Sequence, residues 1–399
     1  MADTAIPQVD TTLLEDADRG LDQAVEMRRR LHAHPELGLE LPRTQQTVLD
    51  ALVGLGLEVS VGDRTTSVTA VLDGGRPGPT TLLRGDMDAL PLSEDSGLPF
   101  ASEVDGVMHA CGHDAHVAML AGAARMLAAR RATVAGRVVF MFQPGEEGFA
   151  GARHMLDEGL LERCGPVDRA FAIHITPIFP SGTVATRAGT LMASADAFIA
   201  TVTGRGGHAS MPHDAVDPVP VACEIVTALQ AMTTRRLPAF DPAVVTVASI
   251  RAGTTSNVIP ERAVLEGTVR AVSESSRALA LEGVRRVVEH VAAAHLCAGE
   301  VTATLEGYPV TVNNDAAAER ALQVAGALLG PQKTLRMPTP VMGAEDWSFV
   351  LQRVPGSMVF LGAAPPGVDR PAPNHSNRMV IDESAMATGM ALYAAMALD

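Results

Sequence analysis

Between Met108 and His116 the chain reads MHACGHDAH, which places one thiol and three imidazoles in nine residues. Thiolate and imidazole are soft and borderline ligands, so this spacing suits a transition metal held where a strand turns into a helix. Further on, Gln143 to Gly148 reads QPGEEG. Two adjacent carboxylates directly after an apolar strand supply what a metal hydrolase needs, one to ligate and one to carry protons. A second chemistry uses the same residues differently: Cys111 as nucleophile with a neighbouring His as base, a cysteine amidase needing no metal. Chelation separates the two, because the cysteine amidase survives it and falls to thiol alkylation.

Groups of this kind need a rigid frame. Leu21 to His34 has helical spacing and stops at Pro35; Arg43 to Leu57 follows as a second helix with Gly54 and Gly56 at its exit. Val68–Leu72, Thr81–Leu83 and Val138–Phe142 read as strands, and His113–Arg130 and Gly151–Leu160 as helices. That alternation predicts a covered, largely parallel sheet with the metal candidates at the strand ends, where open α/β sheets place their ligands. From Ala193 the rhythm changes. Ala197–Thr203, Val244–Ile250, Val264–Val269 and Val301–Leu305 read as strands, with helices over Pro218–Met232 and Arg277–His295. This β-α-β-β-α-β order is a ferredoxin-like module inserted in the larger domain. After Tyr308 the α/β texture returns, with a helix over Ala316–Leu329, a strand at Met358–Leu361 and a C-terminal helix from Ser384.

A chain of 399 residues exceeds one ordinary core, so two domains are expected, 1–190 with 308–399 and an inserted 191–307. The composition is 47% hydrophobic but 3% aromatic, in keeping with an α/β enzyme. A net charge of -15 argues against nucleic acid or an anionic membrane as partner. The cluster Arg28-Arg29-Arg30 reads as the solvated face of an early helix. Cys111, Cys164, Cys223 and Cys297 lie far apart, which fits a reducing compartment rather than a disulfide scaffold. With Asp3 and Asp10 near the start, no apolar leader and no bilayer-length run, a cytoplasmic protein is expected.

The motifs RRRLHAHPELG, RGDMDALP, HACGHDAH, QPGEEG, HITP, GRGGHASMPH, GTTSNVIP, GAEDWSF and PNHS occur in this order along nearly the whole chain. In them the sequence resembles the aminoacylase and carboxypeptidase group of dinuclear metallohydrolases, the M20-type family, in particular its N-acyl-amino-acid amidohydrolase branch with the hippurate and auxin-conjugate hydrolases. The resemblance implies an α/β two-domain fold, a metallohydrolase catalytic domain with an inserted ferredoxin-like lid and dimerisation domain. It implies two divalent metal ions per subunit, zinc or manganese first and nickel or cobalt also suitable, held by Cys111, His113, Glu147, His174 and His375 with the Cys111 thiolate shared. Glu146 corresponds to the general base that takes a proton from a metal-bound water, whose hydroxide attacks the amide, and delivers it to the leaving amine.

Asp88 belongs to the layer behind the ligands, fixing an imidazole or the base. More distant relatives carry His in place of Asp86, which leaves Asp86 without an assigned role. His208, in the inserted module, corresponds to a residue that reaches a partner subunit's active site and stabilises the oxyanion. Asn257 resembles a residue that contacts the substrate's carbonyl or carboxylate, Arg270 is a further donor suited to a carboxylate, and Trp347 offers an apolar wall for the acyl group. His32, His34, His116 and His154 stay outside the ligand set. The expected activity is cleavage of N-acyl or N-aroyl amino acids to a carboxylic acid and a free amino acid, by a homodimer built through the inserted domain. The alternative within the family is a dipeptidase or carboxypeptidase.

Overall fold

The computed structural model describes residues 9–303 and 307–399. Among them the chain forms two compact units. One runs up to Leu191 and resumes over Val312–Thr339 and Phe349–Asp399; the other is Met192–Thr311 with Pro340–Ser348. The sequence expectation for the insert was 191–307, so the short return segment Pro340–Ser348 is an addition that no local pattern announces.

In chain order the principal strands are β1 Glu58–Val61, β2 Val68–Asp73, β3 Arg76–Asp86, β4 Ala135–Gln143, β5 Arg169–Thr176 and β6 Val184–Thr186, then β7 Asp196–Thr203, β8 Ala243–Ala252, β9 Arg262–Ala271 and β10 Ala298–Ala303 in the insert, and finally β11 Thr334–Arg336 and β12 Gly356–Gly362. The principal helices are α1 Thr12–Ala33, α2 Pro42–Leu52, α3 His113–Ala129, α4 Gly151–Asp157, α5 Leu160–Cys164, α6 Pro218–Arg236, α7 Glu274–Ala294, α8 Asp315–Leu329 and α9 Ala385–Leu398.

The first unit is built on an eight-stranded sheet in the order β1-β2-β4-β3-β5-β12-β6-β11. Its pairing is mixed: β4-β3-β5-β12 run parallel, whereas β1-β2-β4 and the β12-β6 pair are antiparallel. The parallel core is where burial on both faces demands continuous apolar strands, and β12 is buried at every position. Strands β1, β5, β6 and β11 go beyond the sequence expectation. The second helix ends at Leu52, five residues before the expected Leu57, because Gly54 and Gly56 adopt positive φ. The Gly151–Leu160 helix is likewise interrupted, ending at Asp157 before Gly159 turns at φ +82°.

Helices α1, α3 and α9 pack against one another over this sheet. The last two are apolar around nearly their whole circumference and are buried accordingly. Their approach is close and reciprocal: a Cβ on Gly122 would lie 2.1 Å from Met390 Sδ, and one on Gly389 would lie 2.1 Å from Met119 Sδ. One sequence expectation is corrected on α1. Arg28 is not solvated but 2% exposed, and its guanidinium binds Asp114 Oδ2 at 3.0 Å and Glu383 Oε1 at 2.8 Å. A buried cation needs such partners, and only the fold brings them to it.

The inserted unit is an antiparallel sheet in the order β8-β9-β7-β10 covered by α6 and α7, the ferredoxin-like arrangement. Alternation along β9 buries one face, with Ala263, Leu265, Val269 and Ala271 in the core under Ile225, Leu229, Val284 and Val288. Two residues of the last expected strand, Thr304 and Leu305, lie outside the described residues.

Candidate metal centre

Three parallel strands end on the same edge of the large sheet, and each delivers part of the centre. After β3 comes Asp88, after β4 come Glu146 and Glu147, and the end of β5 carries His174. Helix α3 begins at His113, directly after Gly112, whose φ of +91° lets the chain turn from Cys111 into the helix. His375 follows on a loop at φ +68° and is tied down by its backbone N–H, which donates to Ala110 O at 2.7 Å.

These elements gather two sets of ligand atoms that meet at one sulfur. Cys111, His113 and His174 form one set and Cys111, Glu147 and His375 the other, with the atoms of each set within 4.8 Å of one another. Glu146 joins His113 and Glu147 at the same spacing. The Cys111 Sγ to His174 Nε2 distance is 3.3 Å, and His375 Nε2 lies 3.2 Å from Glu147 Oε1. Second partners fix which nitrogen of each imidazole faces the centre. His174 Nδ1 donates to Ile175 O at 2.8 Å and His113 Nδ1 to Asp88 O at 2.9 Å, so both direct Nε2 inward.

Asp88 does more than hold an imidazole. Its two carboxylate oxygens accept the backbone N–H groups of Glu146 and Glu147, each at 2.9 Å, so one side chain fixes the turn that presents both acids. Asn374, in PNHS, ties the remaining segments together: Nδ2 donates to Cys111 O at 2.9 Å and to Ile175 O at 3.2 Å, and Oδ1 accepts from Thr176 Oγ1 at 2.8 Å. Asn374 is not among the expected site residues; its place beside His375 in PNHS is the sequence signal for it.

The charges show what the pocket lacks. Burial pushes the Cys111 thiol up, and burial followed by the neighbouring His116 pushes His174 well below its ordinary value. Burial also opposes the charged form of His113, but Asp86 and then Cys111 outweigh it and raise its pKa well above the usual imidazole range. Hydrogen bonds to Cys111 and Glu147 lift His375 to about 10. The anions thus call for positive charge at this point, which is what a divalent cation supplies. His113 Nε2 is moreover a buried atom without a hydrogen-bond partner. A thiol, imidazoles and a carboxylate around such an unsatisfied atom fit a dinuclear site of divalent ions.

The remaining expected residues lie in the inserted unit. His208 and Asn257 come together there: His208 pairs with Val258 in a two-stranded ribbon, and Ala209 N–H donates to Asn257 O at 3.1 Å. Ser210 N–H reaches His208 Nδ1 at 3.1 Å, which leaves Nε2–H as an exposed donor. Arg270 is elsewhere. It sits eight residues along β9 from Arg262, roughly 26 Å at strand rise, at the end of the sheet away from the ribbon. Trp347 is fully buried rather than spread as an open wall.

Comparison with known proteins places these residues in context. Residues 82–399 match the family model described as peptidase family M20/M25/M40. Thermostable carboxypeptidase 2 of Saccharolobus solfataricus is 38% identical over 380 residues, covering 94% of this chain and 95% of the relative. N-acetylcysteine deacetylase of Bacillus subtilis is 37% identical, covering 94% and 96%. Among solved structures, a dinuclear metal-binding peptidase of the M20 family from Bacillus subtilis superposes with a TM-score of 0.82 at 34% identity, covering 96% of this chain and 98% of that one.

Proposed function

The chain belongs to peptidase family M20/M25/M40 and is a metal-dependent amidohydrolase; within that class we propose that it releases the acyl or aroyl group from N-acyl amino acids. The observation that carries the reading is the meeting of two ligand sets at Cys111 with Glu146 beside them. Cys111, His113 and His174 would hold one ion and Cys111, Glu147 and His375 the other, with zinc or manganese best suited. When bound, such ions lower the pKa of a coordinated water to about 7 and polarise a carbonyl.

The chain's own residues do the rest. The Glu146 carboxylate, 5% exposed and fixed through its backbone by Asp88, accepts a proton from water and passes it to the amide nitrogen as the C–N bond breaks. His208, its Nε2–H free to donate, stabilises the carbonyl oxygen in a partner subunit, and Asn257 beside it receives the substrate carboxylate. The homodimer forms through the inserted unit, whose edge strand β8 exposes Val244 and Ile250. Four free cysteines suit a reducing cytoplasm.

The carboxypeptidase relative supports a second reading, cleavage of peptides at a C-terminal residue. One kinetic panel decides. N-acetyl, N-benzoyl and indole-acyl amino acids, their α-amides, and dipeptides are compared on protein reconstituted with each metal. A carboxylate-specific site rejects the α-amide by far more than the 10–200-fold, roughly, that separates apolar acyl groups. Equal cleavage of acid and amide, with activity lost on a single acyl change, would remove the amino acid from the assignment; preference for dipeptides would establish the second reading.

A further inference from the structure

Beside the centre lie two fully buried polar residues to which the mechanism gives no task, Asp86 at the end of β3 and His116 one turn into α3. Both ring nitrogens of His116 are engaged. Ile175 N–H donates to Nε2 at 2.7 Å, so the proton of the neutral ring sits on Nδ1, which donates to Asp86 Oδ1 at 2.5 Å. A ring whose lone pair is already taken is not a metal ligand, although His116 lies within ligand spacing of Asp86 and His113.

The other oxygen of Asp86 faces the centre. Oδ2 lies 2.6 Å from Arg84 Nη1, an ion pair, and 3.5 Å from His113 Nε2. In the neutral ring that a metal ligand must be, the proton stays on Nδ1, which donates to Asp88 O, so the Nε2 lone pair is what meets this carboxylate. His113 Nε2 has no hydrogen-bond partner, and the one counter-charge named for Oδ2, Arg84, stands on β3 rather than beside Nε2. A lone pair and an anion at that distance in a dry interior repel each other unless a cation lies close to both.

We propose that Asp86 and His116 are a positioning pair for the ion at His113: His116 locks the carboxylate so that Oδ2 draws the cation towards Nε2, and the same ring pins β5 at Ile175. The second contact matters because the Ile175 carbonyl orients His174. One imidazole therefore sets two ligands carried by separate elements, α3 and β5. The inference rests on the two-metal reading given above.

Cobalt(II) titration of the metal-free protein tests it, with stoichiometry and the visible absorption band read for each site. His116→Leu removes both hydrogen bonds; His116→Asn restores a donor where Nδ1 stood. In His116→Leu one of the two cobalt sites weakens about 10–100-fold, the usual cost of losing an outer partner, and its band shifts. His116→Asn recovers much of that affinity while the metal-free melting temperatures of the two variants agree. Asp86→Asn weakens the same site, with melting followed in parallel because Arg84 loses its counter-charge. Loss of a whole equivalent at saturating cobalt in both His116 variants would make His116 a ligand and overturn the proposal. Wild-type affinity in His116→Leu, or equal weakening in both variants, would reduce the pair to a structural role and overturn it as well. A wild-type protein that takes fewer than two ions refutes the two-metal reading instead.

Discussion

Glu146 and Glu147 are neighbours with the same chemistry in different surroundings, and the proposed mechanism gives them different duties. Glu147 is held against His375 and Cys111, and although burial would raise its pKa, the His375 hydrogen bond together with the charges of His113 and His375 and the contact with Cys111 keeps it low, which suits a ligand. Glu146 stands next to it with its backbone N–H on Asp88. Glu146→Gln keeps shape and removes the proton acceptor, so both metals should stay bound while turnover falls by at least about 10²–10⁴-fold. Metal analysis alongside kinetics checks this, and near-normal turnover in the metal-replete variant would end the assignment of Glu146 as base. Residues of this sort are legible in sequence because ligands cluster in short runs after strands. The partners that hold them are less so. Asp88 is visible as an acid, but that its oxygens grip two backbone N–H groups depends on β3 and β4 lying side by side. Arg28 looks solvated for the same reason, since Asp114 and Glu383 reach it only in the folded chain.

Elements fix how far the ligands are from one another, and the turn into α3 has the least slack. Gly112 combines a φ of +91° with a site where an added Cβ would stand 2.6 Å from Ile175 Cγ2. The Ile175 backbone is itself bonded to His116, His174 and Asn374, so it has little room to move. Gly112→Ala should cost about 1–2 kcal/mol for the left-handed backbone and about 1–3 kcal/mol for the overlap. Denaturant unfolding of the metal-free variant measures the loss, and unchanged stability would mean that the turn relaxes freely. The sequence shows the glycine and the helix start, since His113 was the expected first helical residue. It does not show β5, whose eight residues end in the HIT of the motif and are buried at all but the first position. A fully buried strand has no alternation to reveal it, and a short apolar run by itself fits a helix as well.

At the scale of the whole molecule the inserted ferredoxin-like unit was legible because β7 and β9 alternate while α6 and α7 run long. The return of Pro340–Ser348 to that unit was not, because membership depends on tertiary contacts and not on composition. The insert carries His208 and Asn257 on one exposed ribbon, and its Nε2–H donor has no work to do within the ribbon itself. If that donor serves a partner subunit, two inactive variants complement each other. His208→Ala keeps Glu146 and the metals but loses the donor; Glu146→Gln keeps the donor but loses the base. In a hybrid dimer of the two, the centre with intact Glu146 faces the subunit with intact His208, so mixing under conditions of subunit exchange should restore activity that neither variant has alone. Differently tagged chains purified in tandem establish that the hybrids exist. Hybrids confirmed in this way but still inactive would show that His208 acts within its own chain or takes no part in the reaction.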